Sequence, residues 1–422
     1  MKKVTFYIDD QPCQAEDGKN FVDAAAENGI SIPSLCYYPH IDPPLATCRV
    51  CTVAIGGQPR AACSLKVSEG LRVQVNTPDL IENRKAILEL IFAEGNHFCP
   101  ACEKSGDCDL QHLAYESGIT YSRFPHTFVD RIVDFKPERL VIDHNRCILC
   151  KRCVEEFVTD SGKKVFSYHR RGGRTEVNVD YELEAEMSDK ELTRAMRLCP
   201  VGAILLRGKS ESRPFGDRKY DKPERQEAIP LTTPVEKPVV PAKKKVVATA
   251  SLAGCFGCHM SMLDIDLGLL DLIELVSFDK SPLTDIKRFS RHVDIGLIEG
   301  GCCNSENIEN LEYFREHCDI LVSVGECAIW GGLPAMRNTI SLEACLEEAY
   351  LHSPVTRNAQ HIIPNHEDIP KILDRVYPCH EVVKIDYHIP GCPPSAQHIW
   401  KVVQNILFGT KYDVIYPEFK YD

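Results

Sequence analysis

The sequence predicts a multidomain chain, α+β in its first half and a doubly wound parallel α/β domain in its second. Three observations carry this. Residues 1–207 alternate short strands and helices around closely spaced cysteines. Residues 208–245 hold six prolines and no apolar periodicity, the composition of an extended, semi-rigid linker. Residues 246–422 repeat strand, loop and helix with continuously apolar strands, the pattern of a parallel sheet covered on both faces.

The elements follow in order. VTFYID (4–9) alternates with period two and reads as a strand, and Asp10-Gln-Pro as a turn. Asn20 to Asn28 is an alanine-rich helix stopped by Gly29. TVAI (52–55) and LRVQV (71–75) are strands separated by Gly56-Gly57, and residues 78–94 form an amphipathic helix ended by Gly95. A cysteine loop and the short helix DLQHLAYESG follow within 97–118, and residues 139–207 make a two-part module with helices after Cys150 and from Asp189 to Arg197. Beyond the linker, strands are expected at VVATASL (246–252), ELVSF (274–278), VDIGLIEG (293–300), DILVSVG (319–325) and EVVKIDY (381–387), with helices at 305–317, 341–350 and 395–408. The domains this implies are 1–76, 77–138, 139–207, the linker 208–245, and 246–422.

Hydrophobic content of 44% and charged content of 26% are those of a globular protein. The net charge of −12 falls mostly on residues 246–422, with 13 basic and 25 acidic residues, and this disfavours nucleic acid as a partner. No apolar run approaches the roughly 20 residues that span a bilayer. The start, MKKVTFYIDDQPC, places an acidic pair where a signal peptide needs an apolar core, so the expected location is cytoplasmic. In such a reducing compartment 21 cysteines argue for metal sites rather than disulfides.

Fifteen of those cysteines fall into four sets. Cys36, Cys48, Cys51 and Cys63 have a close pair between flanking thiols, which fits a two-iron site; four thiolates would also suit structural zinc. Cys99, Cys102 and Cys108 supply three thiolates, and His97 is the expected fourth ligand, with His112 the other nearby imidazole. Cys147, Cys150 and Cys153 form a bacterial ferredoxin run whose closing cysteine is Cys199, next to Pro200. Cys255, Cys258, Cys327 and Cys392 are scattered, yet each follows an expected strand, so the carboxyl edge of one sheet can gather them. Of the six others, Cys318 and Cys345 read as core residues on helices, and Cys302-Cys303 as neighbours of the fourth set.

Taken together, LCYYPHIDPPLATCRVCTVAI, NHFCPACEKSGDCDLQ and RCILCKRCVEEF resemble the iron–sulfur subunit of the diaphorase half of NAD-reducing [NiFe] hydrogenases. They are similar also to the large iron–sulfur subunit of respiratory complex I and to [FeFe] hydrogenases. CFGCHMSMLD, IEGGCCNSEN, GECAIWGG and PGCPPS fall in the order seen in the small subunit of cytoplasmic [NiFe] hydrogenases. The resemblance implies a β-grasp 2Fe-2S ferredoxin domain, a His-Cys cluster domain, a 4Fe-4S ferredoxin-like module and a flavodoxin-like domain with a further four-iron cluster. Two subunits would then be fused in one chain carrying one 2Fe-2S and three 4Fe-4S clusters.

Every Cx2C pair is committed to these sets, and no GxGxxG fingerprint is present, so neither a Ni–Fe centre nor a nicotinamide site is expected here. The expected role is electron relay within an oxidoreductase, with no complete active site on this chain. The implied partners are a [NiFe] large subunit and a flavin/NAD diaphorase subunit. The alternatives are a relay in a complex I-like assembly not acting on hydrogen, and a redox-sensing iron–sulfur protein.

Overall fold

The computed structural model describes residues 2–221, 243–408 and 419–422. Contacts divide the chain into two compact units, Met1–His97 with Cys102–Tyr220, and Phe98–Ala101 with Asp221–Asp422. No helix among the described residues is long and apolar enough to cross a membrane.

In the first unit, β1 (Lys3–Ile8) pairs antiparallel with β2 (Gln11–Glu16). The turn falls one residue earlier than expected, on Asp9-Asp10, both with positive φ. Pro12 therefore lies in a strand, but on the sheet edge, where a missing N–H removes no ladder bond. The helix Phe21–Glu27 starts where the Asn20 side chain accepts from the Val22 N–H, and it buries Phe21, Ala24 and Ala25 in one core with Phe6 and Ile8. β3 (Thr52–Ile55) and β4 (Gln58–Ala61) form a hairpin whose Gly56-Gly57 turn needs positive φ at both residues. Of LRVQV, only β5 (Arg72–Val73) pairs with β1, in parallel, while Gln74 bridges to Ala54.

The helix Pro78–Glu94 has proline in its first turn, a Thr77 cap and Gly95 at its end. The third module is closed by its own ends: β7 (Leu140–Asp143), flanked by β6 (Val133–Asp134), pairs antiparallel with β10 (Ile204–Leu206). That pairing brings the stretch before Cys147 to the stretch after Cys199. Between them lie the helix Arg152–Glu156, the hairpin β8 (Phe166–His169) and β9 (Glu176–Val179), and the helix Asp189–Leu198 with a Ser188/Glu191 capping box.

The linker departs from its expected extent. Residues 208–221 do not run free; they fold back over the Cys102–Cys108 loop. Glu211, Arg213 and Lys219 donate backbone N–H groups to the carbonyls of Glu103, Ser105 and Gly106 at 2.8, 2.8 and 3.0 Å. Gly106 has φ +80°, and a side chain there would strike the Arg213 carbonyl. Tyr220 stacks on His112 at 3.9 Å and bonds Asp109, and buried Arg218 donates to the Tyr115 hydroxyl. The composition of 208–221 is that of a tether, but the unpaired backbone of a cysteine loop offers it partners. The remainder of the linker, 222–242, lies outside the described residues. A first half ending at 221 keeps this strap and one ending at 207 loses it. At about 1 kcal/mol per backbone bond the shorter piece should be less stable by roughly 3 kcal/mol, measured by urea unfolding.

The second unit is built on a five-stranded sheet of β11 (Lys245–Ser251), β12 (Val276–Phe278), β13 (Val293–Glu299), β15 (Cys318–Val324) and β17 (Tyr387–Ile389). All are parallel, in the order β12-β11-β13-β15-β17. By chain order this is 2-1-3-4-5, the flavodoxin-like arrangement. Its faces bury different residues: Val246, Ala248 and Ala250 join Leu311 and Phe314 on one side, and Val247, Leu297 and Val322 join Ile399 and Val402 on the other. The helices Ser305–His317 and Ala396–Phe408 supply these partners. A separate ribbon pairs β14 (Cys302–Asn304) with β16 (Ile372–Tyr377).

Three expected elements differ. ELVSF is a strand only over Val276–Phe278, because Glu274 and Leu275 close the helix Gly268–Leu275. EVVKIDY is mostly not strand: Pro378 opens a short helix, Cys379–Val382, and pairing with β15 begins only at Tyr387. The helix expected at 341–350 is α-helical over Leu342–Glu347 and continues as a wider turn over Glu348–His352.

Candidate metal centres

The first set gathers completely. Cys36 ends one loop, Cys48 and Cys51 lie on a loop with positive φ at Ala46 and Arg49, and Cys63 sits in the turn Ala62–Ser64. The Cys48 N–H points to the Cys36 sulfur at 3.5 Å. The Cys36 thiol is pushed down first by contact with Cys48, then with Cys63; the Cys63 thiol is pushed up by Cys36 and Cys51. Four sulfurs this close cannot all carry charge alone, and a cationic core among them removes the conflict.

In the second set, the Cys108 thiol is raised to about 12 by burial and then by the charge of Cys102. The Lys104 N–H points at the Cys102 sulfur at 3.4 Å, and a buried Lys104–Asp107 ion pair stiffens the loop. Cys99 lies on the turn Cys99–Ala101. His97 follows the helix Pro78–Glu94, with its ring edge-on to Phe92. Its Nε2 is buried and has no hydrogen-bond partner among the described residues, and burial lowers its pKa to about 3, so the imidazole is neutral. A neutral ring with an orphaned nitrogen fits a ligand role. His112 is engaged instead, facing Glu116 at 3.3 Å and stacked on Tyr220.

In the third set, positive φ at Leu149 and Lys151 curls the run so that Cys147, Cys150 and Cys153 line one cavity with Cys199. The rest of the lining includes Ile142, Val177, Val201 and Ile204. Burial raises the Cys147 thiol to about 11 and pushes Cys153 well up, followed by the charges of its neighbours. Such a pocket favours thiolate only when a cation enters it.

These three sets abut in an order that differs from their order in sequence. Thr47, beside Cys48, donates to the Cys150 carbonyl at 3.4 Å. Asp109, beside Cys108, takes the Pro200 carbonyl at 2.8 Å through its N–H, and its carboxylate faces Arg152. A side chain on Gly202 would meet the Cys102 sulfur at 3.1 Å. The third set therefore stands between the first and the second.

The fourth set forms at the carboxyl edge of the parallel sheet, with Cys255 and Cys258 after β11, Cys327 after β15 and Cys392 after β17. The Cys258 thiol is pushed up by burial, then by Glu299, Cys327, Cys392 and Cys255. Burial raises Cys327 to about 12 and Cys392 to about 11. Glycine is required twice: a side chain on Gly325 would overlap the Cys258 sulfur, and one on Gly332 would reach the Cys327 sulfur at 2.9 Å.

Sequence reasoning missed Glu299 and Glu326. Glu299 is buried, accepts from the His259 N–H at 3.0 Å and from Ser251 at 2.7 Å, and so ties the Cys258 turn to the sheet. Buried Glu326 accepts from the Gly391 N–H at 3.2 Å, and burial raises its pKa well above the usual range. The only advance signal was an acidic residue at the end of an apolar strand or beside a ligand candidate. Cys302 is taken into the core, where it contacts Cys379, and Cys303 faces Asn307. Cys318 is core as expected, but at the start of β15 rather than on a helix. Among the described residues no three His, Cys, Asp or Glu side chains close on a single metal-ion position.

Four protein-family descriptions match the chain in succession. They are a 2Fe-2S iron-sulfur cluster binding domain over 1–78, the NADH-ubiquinone oxidoreductase-G iron-sulfur binding region over 84–123, the NADH-quinone oxidoreductase subunit 3 ferredoxin-like domain over 138–205, and the NADH ubiquinone oxidoreductase 20 kDa subunit over 255–406. The NAD-reducing hydrogenase HoxS subunit gamma of Cupriavidus necator is 47% identical over 216 residues, 51% of this chain and 92% of the relative. The HoxS subunit delta of the same organism is 52% identical over 177 residues, 42% of this chain and 85% of the relative. A crystal structure of an NAD+-reducing [NiFe]-hydrogenase in the H2-reduced state contains a chain 48% identical, covering 43% of this chain and 100% of that one, with a TM-score of 0.41. The chain belongs to the iron–sulfur subunit family of NAD-reducing hydrogenases, joining in one polypeptide a gamma-type first half and a delta-type second half.

Proposed function

We propose that this chain is the electron-transfer subunit of a multisubunit NAD-linked [NiFe] hydrogenase, relaying electrons between a Ni–Fe large subunit and a flavin/NAD diaphorase subunit. One observation carries the reading: four separate thiol sets, three of them in contact through the residues beside their ligands. Iron–sulfur clusters supply one-electron transfer when bound. The chain's part is to hold them close and dry. Thr47, Asp109 and Gly202 keep neighbouring ligand loops within van der Waals or hydrogen-bond reach. The assigned ligands are Cys36, Cys48, Cys51 and Cys63 for a 2Fe-2S cluster, then His97, Cys99, Cys102 and Cys108; Cys147, Cys150, Cys153 and Cys199; and Cys255, Cys258, Cys327 and Cys392 for three 4Fe-4S clusters. The domains assigned to them are 1–76, 77–138, 139–207 and 246–422, and the proposed location is the cytoplasm.

The identity to the hydrogenase relatives supports this over a relay not acting on hydrogen. Iron and acid-labile sulfide analysis of the anaerobic holoprotein tests the assignment. The expected content is about 14 iron atoms per chain, two for the first set and four for each other. A value near 6, or equimolar zinc, would remove the four-cluster reading, and hydrogen-dependent NAD reduction by the native complex tests the wider role.

A further inference from the structure

The helix Pro78–Glu94 turns an apolar stripe inward, with Leu80, Leu88, Phe92 and Ala93 buried. Arg84 lies in that same stripe and is only 8% exposed. Its Nε donates to the Val50 carbonyl and its Nη2 to the Val75 carbonyl, both at 3.3 Å. These are neutral acceptors, which aim the guanidinium without balancing its charge. Among the described residues no carboxylate forms an ion pair with it. The carboxylate acting on it is Asp9, which is exposed and already accepts from the Val75 N–H at 2.7 Å and from Asn76. Burial lowers the Arg84 pKa, and the first influence opposing it is Cys51, next in sequence to the Val50 whose carbonyl Arg84 holds.

A buried, unpaired guanidinium costs several kcal/mol, and an aliphatic residue would fill this stripe without that cost. The geometry is explained if an anion stands in front of it. Four thiolates around two ferric ions and two sulfides carry a net charge of about −2, which becomes about −3 on one-electron reduction.

Resting on the ligand assignment above, we propose that Arg84 is the built-in countercharge of the first site, a positioning residue that favours its reduced state and so raises its reduction potential. The same interaction orients the Cys51 loop, because the Val50 carbonyl is one of the two groups Arg84 holds.

The test is an EPR-monitored redox titration of the 2Fe-2S signal in the intact complex, comparing wild type with R84M, R84Q and R84K. The two neutral variants should hold the cluster but show an at least about tenfold lower ratio of reduced to oxidised cluster at a fixed poise near the wild-type midpoint, equivalent to a shift of about 59 mV for one electron. R84K keeps the charge and should shift much less. Loss of the cluster from both neutral variants but not from R84K would also support a required charge. An unchanged midpoint in a neutral variant overturns the proposal, as does an R84K shift equal to that of R84M, or cluster loss from all three. Absence of a 2Fe-2S signal from the wild type would instead overturn the ligand assignment.

Discussion

Cys392→Ser should split the activities of the assembled complex. Oxidation of NADH with an artificial acceptor should survive, while hydrogen-linked NAD reduction should fall at least about 100-fold, the upper end of what even outer-shell changes at metal sites cost. The argument rests on where Cys392 lies. It comes from the last strand of the parallel sheet, and its thiol is pushed up by burial and then by Glu326 and Cys255, so it faces the other members of the fourth set. The substitution removes no thiol from the first three sets. On the proposed reading the NADH reaction uses the flavin side, and the hydrogen reaction must cross the fourth set. Losing a cluster also risks local unfolding. Circular dichroism and co-purification with the large subunit separate that outcome from the intended one. An intact complex that couples hydrogen to NAD at the wild-type rate would remove the second unit from the electron path.

Glu184→Ala should be the most damaging single change to the first unit away from any proposed ligand. Glu184 is fully buried, and its carboxylate accepts the backbone N–H groups of Glu138, Arg139 and Leu140 at 2.9, 2.8 and 2.6 Å. These three donors lead directly into β7, the strand that carries the chain to Cys147. Bonds to a charged acceptor contribute about 1.5–3 kcal/mol each, and leaving buried donors unpaired adds to the loss, so a cost of about 3–5 kcal/mol is expected. In urea the transition of the first unit should move to lower concentration while that of residues 246–422 stays. Iron content should drop by about four atoms per chain as the third set loses its frame. Glu184→Gln retains one acceptor oxygen and should fall between. Equal midpoints for E184A and wild type would mean that the carboxylate is replaced by water and that β7 is held by its β10 pairing alone.

What the sequence determined by itself is what depends on near neighbours. Cysteine spacing grouped the third run, the Cys48/Cys51 pair and the Cys255/Cys258 pair, because thiols three residues apart on one loop can face one centre. Period and caps placed the helices Phe21–Glu27 and Pro78–Glu94 and the buried strands β11, β13 and β15, since side-chain direction there is a local property. Local pattern failed at EVVKIDY, where apolar alternation looked like a strand but only Tyr387–Ile389 reaches the β15 edge. It failed also at 208–221, where a proline-bearing polar stretch found backbone partners in a cysteine loop about 100 residues earlier. Only the tertiary structure decided that the third thiol set stands between the first and second, through the Thr47 to Cys150 contact across 103 residues of sequence. Only it separated His97, whose buried Nε2 has no partner among the described residues, from His112, which is occupied by Glu116 and Tyr220. Arg84 and Glu184 were invisible for the same reason. A charged residue reads as solvent-facing until the fold places it against buried backbone groups, and the cost of burying its charge depends on what lies opposite, which no local pattern contains.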